Sequence, residues 1–240
     1  MKIEGRTFIV SGGASGLGRA CVEDICRRGG YAAILDMNEE LAGEVVQEIG
    51  GGKTKFFEAN VLETDSIAGA VKGALAWVKE TGMEVGGVIA AAGVSTPAKI
   101  LSRDLTPFSL SDFDFVLSVT EGERGIVIMV SSAAAFDGQP GQVAYAASKG
   151  AIASLTLPMT RDLARYGIRV VTIAPSLFDS RMTSMMSEKV RGSLKRVMEF
   201  PLRPGKPHEF AQLVTQSIEN VMLNGVVLRL DGGMRMPSKM

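Results

Sequence analysis

Thr7-Phe8-Ile9-Val10-Ser11-Gly12-Gly13-Ala14-Ser15-Gly16-Leu17-Gly18 decides the fold. A short apolar strand runs into a glycine turn, and an amphipathic helical pattern follows from about Gly16 to Arg28, with Gly29-Gly30 as its stop. The glycines stand as G-x-x-x-G-x-G, a variant of the dinucleotide fingerprint in the strand–turn–helix context that such a fingerprint requires. Gly12 allows the tight turn, Gly16 lets the backbone approach a pyrophosphate, and Gly18 permits close helix packing. Ser15 and Leu17 complete the cradle, where the helix N-terminus faces the anion.

Asp36 ends the next apolar run, Ile34-Leu35-Asp36, eighteen residues after Gly18. A carboxylate there can accept both hydroxyls of an adenosine ribose. A phosphate on that ribose would meet like charge, and neither Ser15 nor Met37 supplies a cation to receive it. The expected cofactor is therefore NAD rather than NADP.

Outward from this segment, apolar strands and amphipathic helices alternate to the end of the chain. The pattern predicts an α/β protein with a parallel sheet covered on both faces. Strands are expected at Thr7 to Val10, Ala32 to Asp36, Thr54 to Ala59, Gly87 to Ala91, Ile126 to Ser131, Arg169 to Ile173 and Val226 to Leu230. Helices are expected at about Gly16 to Arg28, Asn38 to Ile49, Thr64 to Thr81, Tyr145 to Arg165 and Pro207 to Asn220. Between the fourth and fifth strands the only helical pattern is Ser111 to Val119, at ~1.5 Å per residue a much shorter crossover than the others. No repeat or linker interrupts the series, so residues 1–240 read as one domain.

Composition narrows the function. The chain is 46% hydrophobic and 22% charged, and its 26 basic residues balance its 26 acidic ones, so no field steers it to nucleic acid or an anionic membrane. Cys21 and Cys26 fall within one helix and fit a reducing compartment; His208, the single histidine, has no companions for a metal site. The first strand begins too early for a readable presequence, and no apolar run is long enough to span a bilayer.

Tyr145 and Lys149 lie one helical turn apart, so both leave the same helix face. A phenol with a pKa of ~10 exchanges protons poorly at neutral pH, but a nearby cation stabilises the phenolate. Tyr145 is thus the candidate acid/base.

These motifs together resemble the short-chain dehydrogenase/reductase family over essentially the full length. The resemblance rests on Gly12 to Gly18, Asn60-Val61 after the third strand, Ala91-Ala92-Gly93 after the fourth, Ser131-Ser132 after the fifth, Tyr145 with Lys149, and Ala174-Pro175 after the sixth. Within the family, Ala134 to Gln139, Gly141-Gln142, Arg161 to Ala164 and Arg229 to Gly232 are most similar to the short-chain 3-hydroxyacyl-CoA dehydrogenases, a branch that also oxidises some hydroxysteroids. The resemblance implies a Rossmann-type doubly wound sheet of about seven strands, with a substrate lid at about residues 176–206. Tyr145 would exchange the proton, Lys149 would hold the nicotinamide ribose, and Ser132 would hydrogen-bond the reacting oxygen. Asn60 and Val61 would contact the adenine, Ala91, Ala92 and Gly93 would pass under the adenosine ribose, and Pro175 and Ser180 would adjoin the nicotinamide.

The same resemblance exposes departures. Asn60 replaces the family's usual Asp, Ala91 its Asn, Ser176 a Gly and Ser180 a Thr. Val116-Leu117-Ser118-Val119 runs straight into Thr120-Glu121-Gly122-Glu123-Arg124, so the back half of one crossover helix is missing, with the Asn that holds a water in the proton relay. The expected function is an NAD-dependent oxidoreductase of secondary alcohols, favouring 3-hydroxyacyl-CoA. The alternatives are a catalytically impaired NAD-binding homologue or truncated isoform, and a dehydrogenase of a hydroxysteroid or specialised metabolite. The lost helix face implies a weakened homo-oligomer, with apolar surface at Ile152, Leu155 and Met159. Ser238-Lys239-Met240 is one residue away from a peroxisomal address. A peroxisome is expected for a eukaryotic source and cytoplasm for a bacterial one, with the mitochondrion as the alternative.

Overall fold

The computed structural model describes residues 1–61, 63–92, 123–179 and 197–236. The short crossover Ser111 to Val119, Thr120 after it, the site residues Gly93 and Ser180, and the tail Ser238 to Met240 lie outside the described residues. So does most of the expected lid.

Seven strands form one parallel sheet in the order β3-β2-β1-β4-β5-β6-β7. They are β1 (Arg6–Ser11), β2 (Tyr31–Asp36), β3 (Thr54–Glu58), β4 (Glu84–Ala90), β5 (Gly125–Val130), β6 (Ile168–Pro175) and β7 (Val226–Leu230). The described helices are α1 (Gly16–Arg27), α2 (Glu39–Ile49), α3 (Thr64–Thr81), α4 (Val143–Ala164) and α5 (Pro207–Glu219). The expected doubly wound α/β fold is therefore present, with each expected strand found. The near-continuous apolar runs follow from burial on both faces, as in β6, where every residue is buried.

Local chemistry sets the helix ends. Asn38 caps α2 by accepting from the Leu41 amide, and Glu39 and Glu40 occupy that helix's first turn, where negative charge is favoured. Pro207 begins α5, and Glu209 turns back to accept from the Lys206 amide. Under the sheet, Phe8, Val10, Ile34, Ile89, Ile128 and Ile173 pack with Val22, Ile25, Phe210 and Val214 into the main core. Trp77 of α3 closes a second cluster with Ile9, Ala33 and Leu35.

The strand order reverses beside β1, whose neighbours are β2 and β4. In open parallel sheets, ligands bind at such a switch point, outside the carboxyl ends of the strands. Gly12, Asp36, Asn60, Ala91, Ser132 and Pro175 lie at or just after strand ends, and Tyr145 and Lys149 lie in the first turns of α4.

Candidate active site

The glycine turn leaves β1 and enters α1. Gly12 has φ +69°, and a Cβ there would stand 2.8 Å from the Ala92 backbone. A Cβ on Gly18 would fall 2.1 Å from the Gly12 carbonyl oxygen, so any side chain would push α1 off the turn. Gly16 differs: its φ is +56° and a Cβ would meet nothing within 4 Å. Gly12 and Gly18 are thus packed against backbone, whereas Gly16 faces open space.

The start of α1 contrasts with that of α2. Ser15 takes the N-cap position with extended backbone, yet its side chain does not cap the helix, and no acidic residue occupies the first turn. An uncapped positive helix end beside an open glycine suits an external anion such as a pyrophosphate.

Asp36 aims back at this turn. Its Oδ2 accepts from the Ala14 amide and its Oδ1 from the Asn38 amide, each at 3.1 Å. A carboxylate offers about four lone-pair positions, so two remain for other donors. Met37, next in sequence, is exposed. Asn60 and Val61 follow β3; the Asn60 side chain donates to Glu63 at 2.7 Å, and Val61 is exposed. The Ala91 amide donates to the Ser11 carbonyl and the Ala92 amide to the Ser11 hydroxyl, which ties the end of β4 to the glycine turn.

The second half of the site lies beyond β5. Ser131 is buried and donates from Oγ to the Lys149 carbonyl at 2.7 Å, fastening α4 to the strand end. Ser132 caps a 3-10 turn at Ala133–Ala135, its Oγ accepting from the Ala134 amide. Tyr145 and Lys149 leave α4 one turn apart, with the Lys149 ammonium 5.9 Å from the centre of the Tyr145 ring. Tyr145 remains 39% exposed, whereas Lys149 is half-buried and donates to the Val130 carbonyl at 3.1 Å. Burial holds the Lys149 pKa below the usual lysine range.

Pro175 ends β6. The Ser176 amide after it donates to the Leu230 carbonyl, and the Ser176 hydroxyl to the Met234 sulfur at 3.1 Å. No non-glycine residue among those described has a positive φ, so Ser176, which stands where the family usually has Gly, needs no left-handed backbone here. Beside it, Ser176, Leu177, Phe178, Met198, Asp231 and Met234 help line a cavity of about 190 Å³.

Two features escaped sequence reasoning. Gln139 is 5% exposed with its Nε2 unpartnered, and the Oε1 of Gln142, at the N-cap of α4, is likewise buried and unpartnered. Both stand in the segment joining Ser132 to Tyr145. The other feature is the Arg229 guanidinium, which pairs with Asp137 and Asp231. Its only sequence signal was the alternation Arg229-Leu230-Asp231, which does not reveal a partner 92 residues away.

A family model for short chain dehydrogenases matches residues 6–191, and the chain belongs to that family. Among curated relatives, it is 35% identical over 257 residues to 3-hydroxyacyl-CoA dehydrogenase type-2 of Drosophila melanogaster, covering 98% of this chain and 99% of that protein. Identity to the Rattus norvegicus protein of the same name is 38%, covering 98% of this chain and 97% of the relative. The crystal structure of 3-hydroxyacyl-CoA dehydrogenase type-2 from Mycobacterium avium superposes with a TM-score of 0.82 at 31% identity, covering 98% of each chain. The fly alignment is longer than the 240 residues of this chain, so that relative carries positions with no counterpart here.

Proposed function

We propose that this oxidoreductase interconverts a secondary alcohol and a ketone with NAD, and that its favoured substrate is a 3-hydroxyacyl-CoA. One observation carries the reading: the uncapped start of α1, the open Gly16 and the Asp36 carboxylate stand at the carboxyl ends of β1 and β2, on the same sheet edge as the end of β5, which Ser132 follows and to which Lys149 donates. Gly12, Ser15, Gly16, Leu17 and Gly18 would hold the pyrophosphate, and Asp36 the adenosine ribose. Asn60, Val61, Ala91, Ala92 and Gly93 would line the adenosine, with Lys149, Pro175 and Ser180 toward the nicotinamide. When bound, the nicotinamide supplies the hydride chemistry.

The chain's own residues do the rest. Tyr145 exchanges a proton with the substrate oxygen while Ser132 hydrogen-bonds that oxygen as its charge develops. Lys149, one turn further along α4, places a cation beside that proton transfer. The 3-hydroxyacyl preference is supported by the names of the fly, rat and mycobacterial relatives.

Formation of NADH, followed by its absorbance with a panel of 3-hydroxyacyl-CoAs and hydroxysteroids, tests the reading. Absence of turnover with the whole panel rejects it. A second reading, a catalytically impaired NAD-binding homologue, is favoured by the positions absent relative to the fly protein. Tight NAD binding without turnover, reversed by inserting the missing segment, would establish that alternative.

Two further expectations accompany the function. Leu155 and Leu157 of α4 are exposed, which supports assembly through that helix, whereas Ile152 and Met159 are half-buried rather than exposed; Met159 packs against Leu163, Ile168 and Val170. A weakened homo-oligomer follows if the partner helix is shortened. Peroxisomal placement would rest on Ser238-Lys239-Met240, and removal of those three residues from a fluorescent fusion tests it.

A further inference from the structure

Arg229 stands on β7, the edge strand of the sheet, and its guanidinium joins three separate segments. NH1 and NH2 grip the two carboxylate oxygens of Asp137 as a fork, Nε donates to Asp231 Oδ2 at 2.6 Å, and NH2 also reaches the Met234 carbonyl at 3.4 Å. The cation lies 5.2 Å from the centre of the Phe136 ring. Asp231 in turn accepts from the Gly233 amide and from Arg235. Arg229 therefore binds its own strand end to the turn at residues 231–235 and to the segment after β5.

That last segment carries Ser132. Four successive amides form its 3-10 turn: Ala134 donates to the Ser132 hydroxyl, Ala135 to the Ser132 carbonyl, and Phe136 and Asp137 to the Ala133 carbonyl. Asp137 sits at the far end of this turn, so fixing its carboxylate fixes the turn at the end opposite Ser132. Two residues later comes Gln139, with its buried unpartnered amide nitrogen. On the other side, Met234 is 2% exposed and accepts the Ser176 hydroxyl, so the same turn also holds the residue following Pro175.

We infer that Arg229 and Asp137 form a positioning pair that holds the Ser132 turn in register with the segment after β6, so that the turn carrying Ser132 and the cavity wall at Ser176 move as one unit. The inference deepens the dehydrogenase reading, on which its kinetic half rests. A planar fork is required because it sets both distance and angle, which the point charge of a lysine does not. Neither residue touches the reacting atoms; each acts through Ser132.

The test uses the full chain with Arg229→Gln, Asp137→Asn and the double variant, and reads amide hydrogen exchange beside kinetics. Exchange at Ala134, Ala135, Phe136 and Asp137 should accelerate at least ~10-fold in each single variant, while amides of β1 and β2 keep their protection. The kcat should fall ~10-fold or more with KM for NAD unchanged, and the double variant should lose little beyond either single one, because paired residues are not additive. Arg229→Lys should fail to restore the rate. Unchanged exchange in the turn, equal acceleration throughout the sheet, or faster local exchange with unaltered kcat overturns the inference. Should the parent chain show no turnover with any substrate, the dehydrogenase reading fails, and the exchange pattern alone still decides whether the pair holds the turn.

Discussion

Lys149 holds its ammonium on the Val130 carbonyl at 3.1 Å, just beyond the last paired residues of β4 and β5, Ala90 and Met129. The same ammonium lies 5.9 Å from the Tyr145 ring centre. The cation is thus held at the strand end by a backbone acceptor, in a partly buried position where its field on the phenol is less screened than in water. Burial also lowers its own pKa, so it becomes neutral at a lower pH than a free lysine.

Turnover should therefore decline on the alkaline side before pH reaches the ordinary lysine value of 10.5. Lys149→Arg, whose guanidinium stays charged, should move that limb upward or remove it, even at a reduced rate. Tyr145→Phe keeps the ring but removes the proposed proton donor, and kcat should drop by at least ~10²-fold with NAD binding retained. Retained turnover in Tyr145→Phe would exclude the phenol from the chemistry.

Cofactor choice should follow Asp36. Its carboxylate is oriented by the amides of Ala14 and Asn38, so it presents fixed negative charge at the turn without a nearby cation at Met37. Asp36→Ala should narrow the preference for NAD over NADP, and adding Met37→Arg should narrow it further by offering a phosphate partner. The ratio of kcat/KM for the two cofactors is the measurement; an unchanged ratio in both variants assigns the choice elsewhere.

The seven strands and the glycine turn were legible because burial on both sheet faces demands continuous apolar runs, and each run ends at a polar or glycine residue. Asp36 was legible by its spacing from Gly18, although the Ala14 amide that orients it was not. Interactions joining distant segments left no periodic trace. Arg169 reads as a polar interruption in an apolar strand, and Asp137 as an ordinary loop acid; their partners are set by how β6 and β7 meet the rest of the sheet. Gln139 and Gln142 carried a family resemblance but no signal that their polar atoms would be buried without partners.

Acid should loosen the start of α5. Arg203 hydrogen-bonds the Glu209 carboxylate, which also accepts from the Lys206 amide, and these contacts hold the Glu209 pKa at about 2, below the ordinary 4.5. A depressed carboxylate contributes stability that is complete above its unfolded pKa and is lost as pH falls through the folded one. The loss should span about pH 4.5 down to about 2. Urea midpoints recorded across that window should fall less steeply in Glu209→Gln than in the parent; parallel slopes would show that the carboxylate's titration is not linked to folding.

Arg169 should matter more to stability than any exposed ion pair in the fold. It is 6% exposed at the start of β6, donates from Nε to Glu123 at 2.6 Å, and sends NH1 and NH2 to the carbonyls of Ser217, Ile218, Asn220 and Leu223. Those carbonyls belong to the end of α5 and the turn after it, where helix carbonyls lack intrahelical partners. Glu123 precedes β5, so one guanidinium joins the entry of β5, the entry of β6 and the exit of α5. Arg169→Ala leaves the carbonyls of Ser217, Ile218, Asn220 and Leu223 without this donor, and an unsatisfied buried acceptor costs ~1–3 kcal/mol, whereas the exposed Glu123 keeps the Met1 ammonium as a partner. Arg169→Lys retains charge but has three donors in place of five and should recover only part of that loss. The urea midpoint should fall in the order parent, Lys, Ala, with Glu123→Gln the mildest change because a neutral acceptor remains. Equal midpoints for the parent and Arg169→Ala would mean that water serves those carbonyls as well as the guanidinium does.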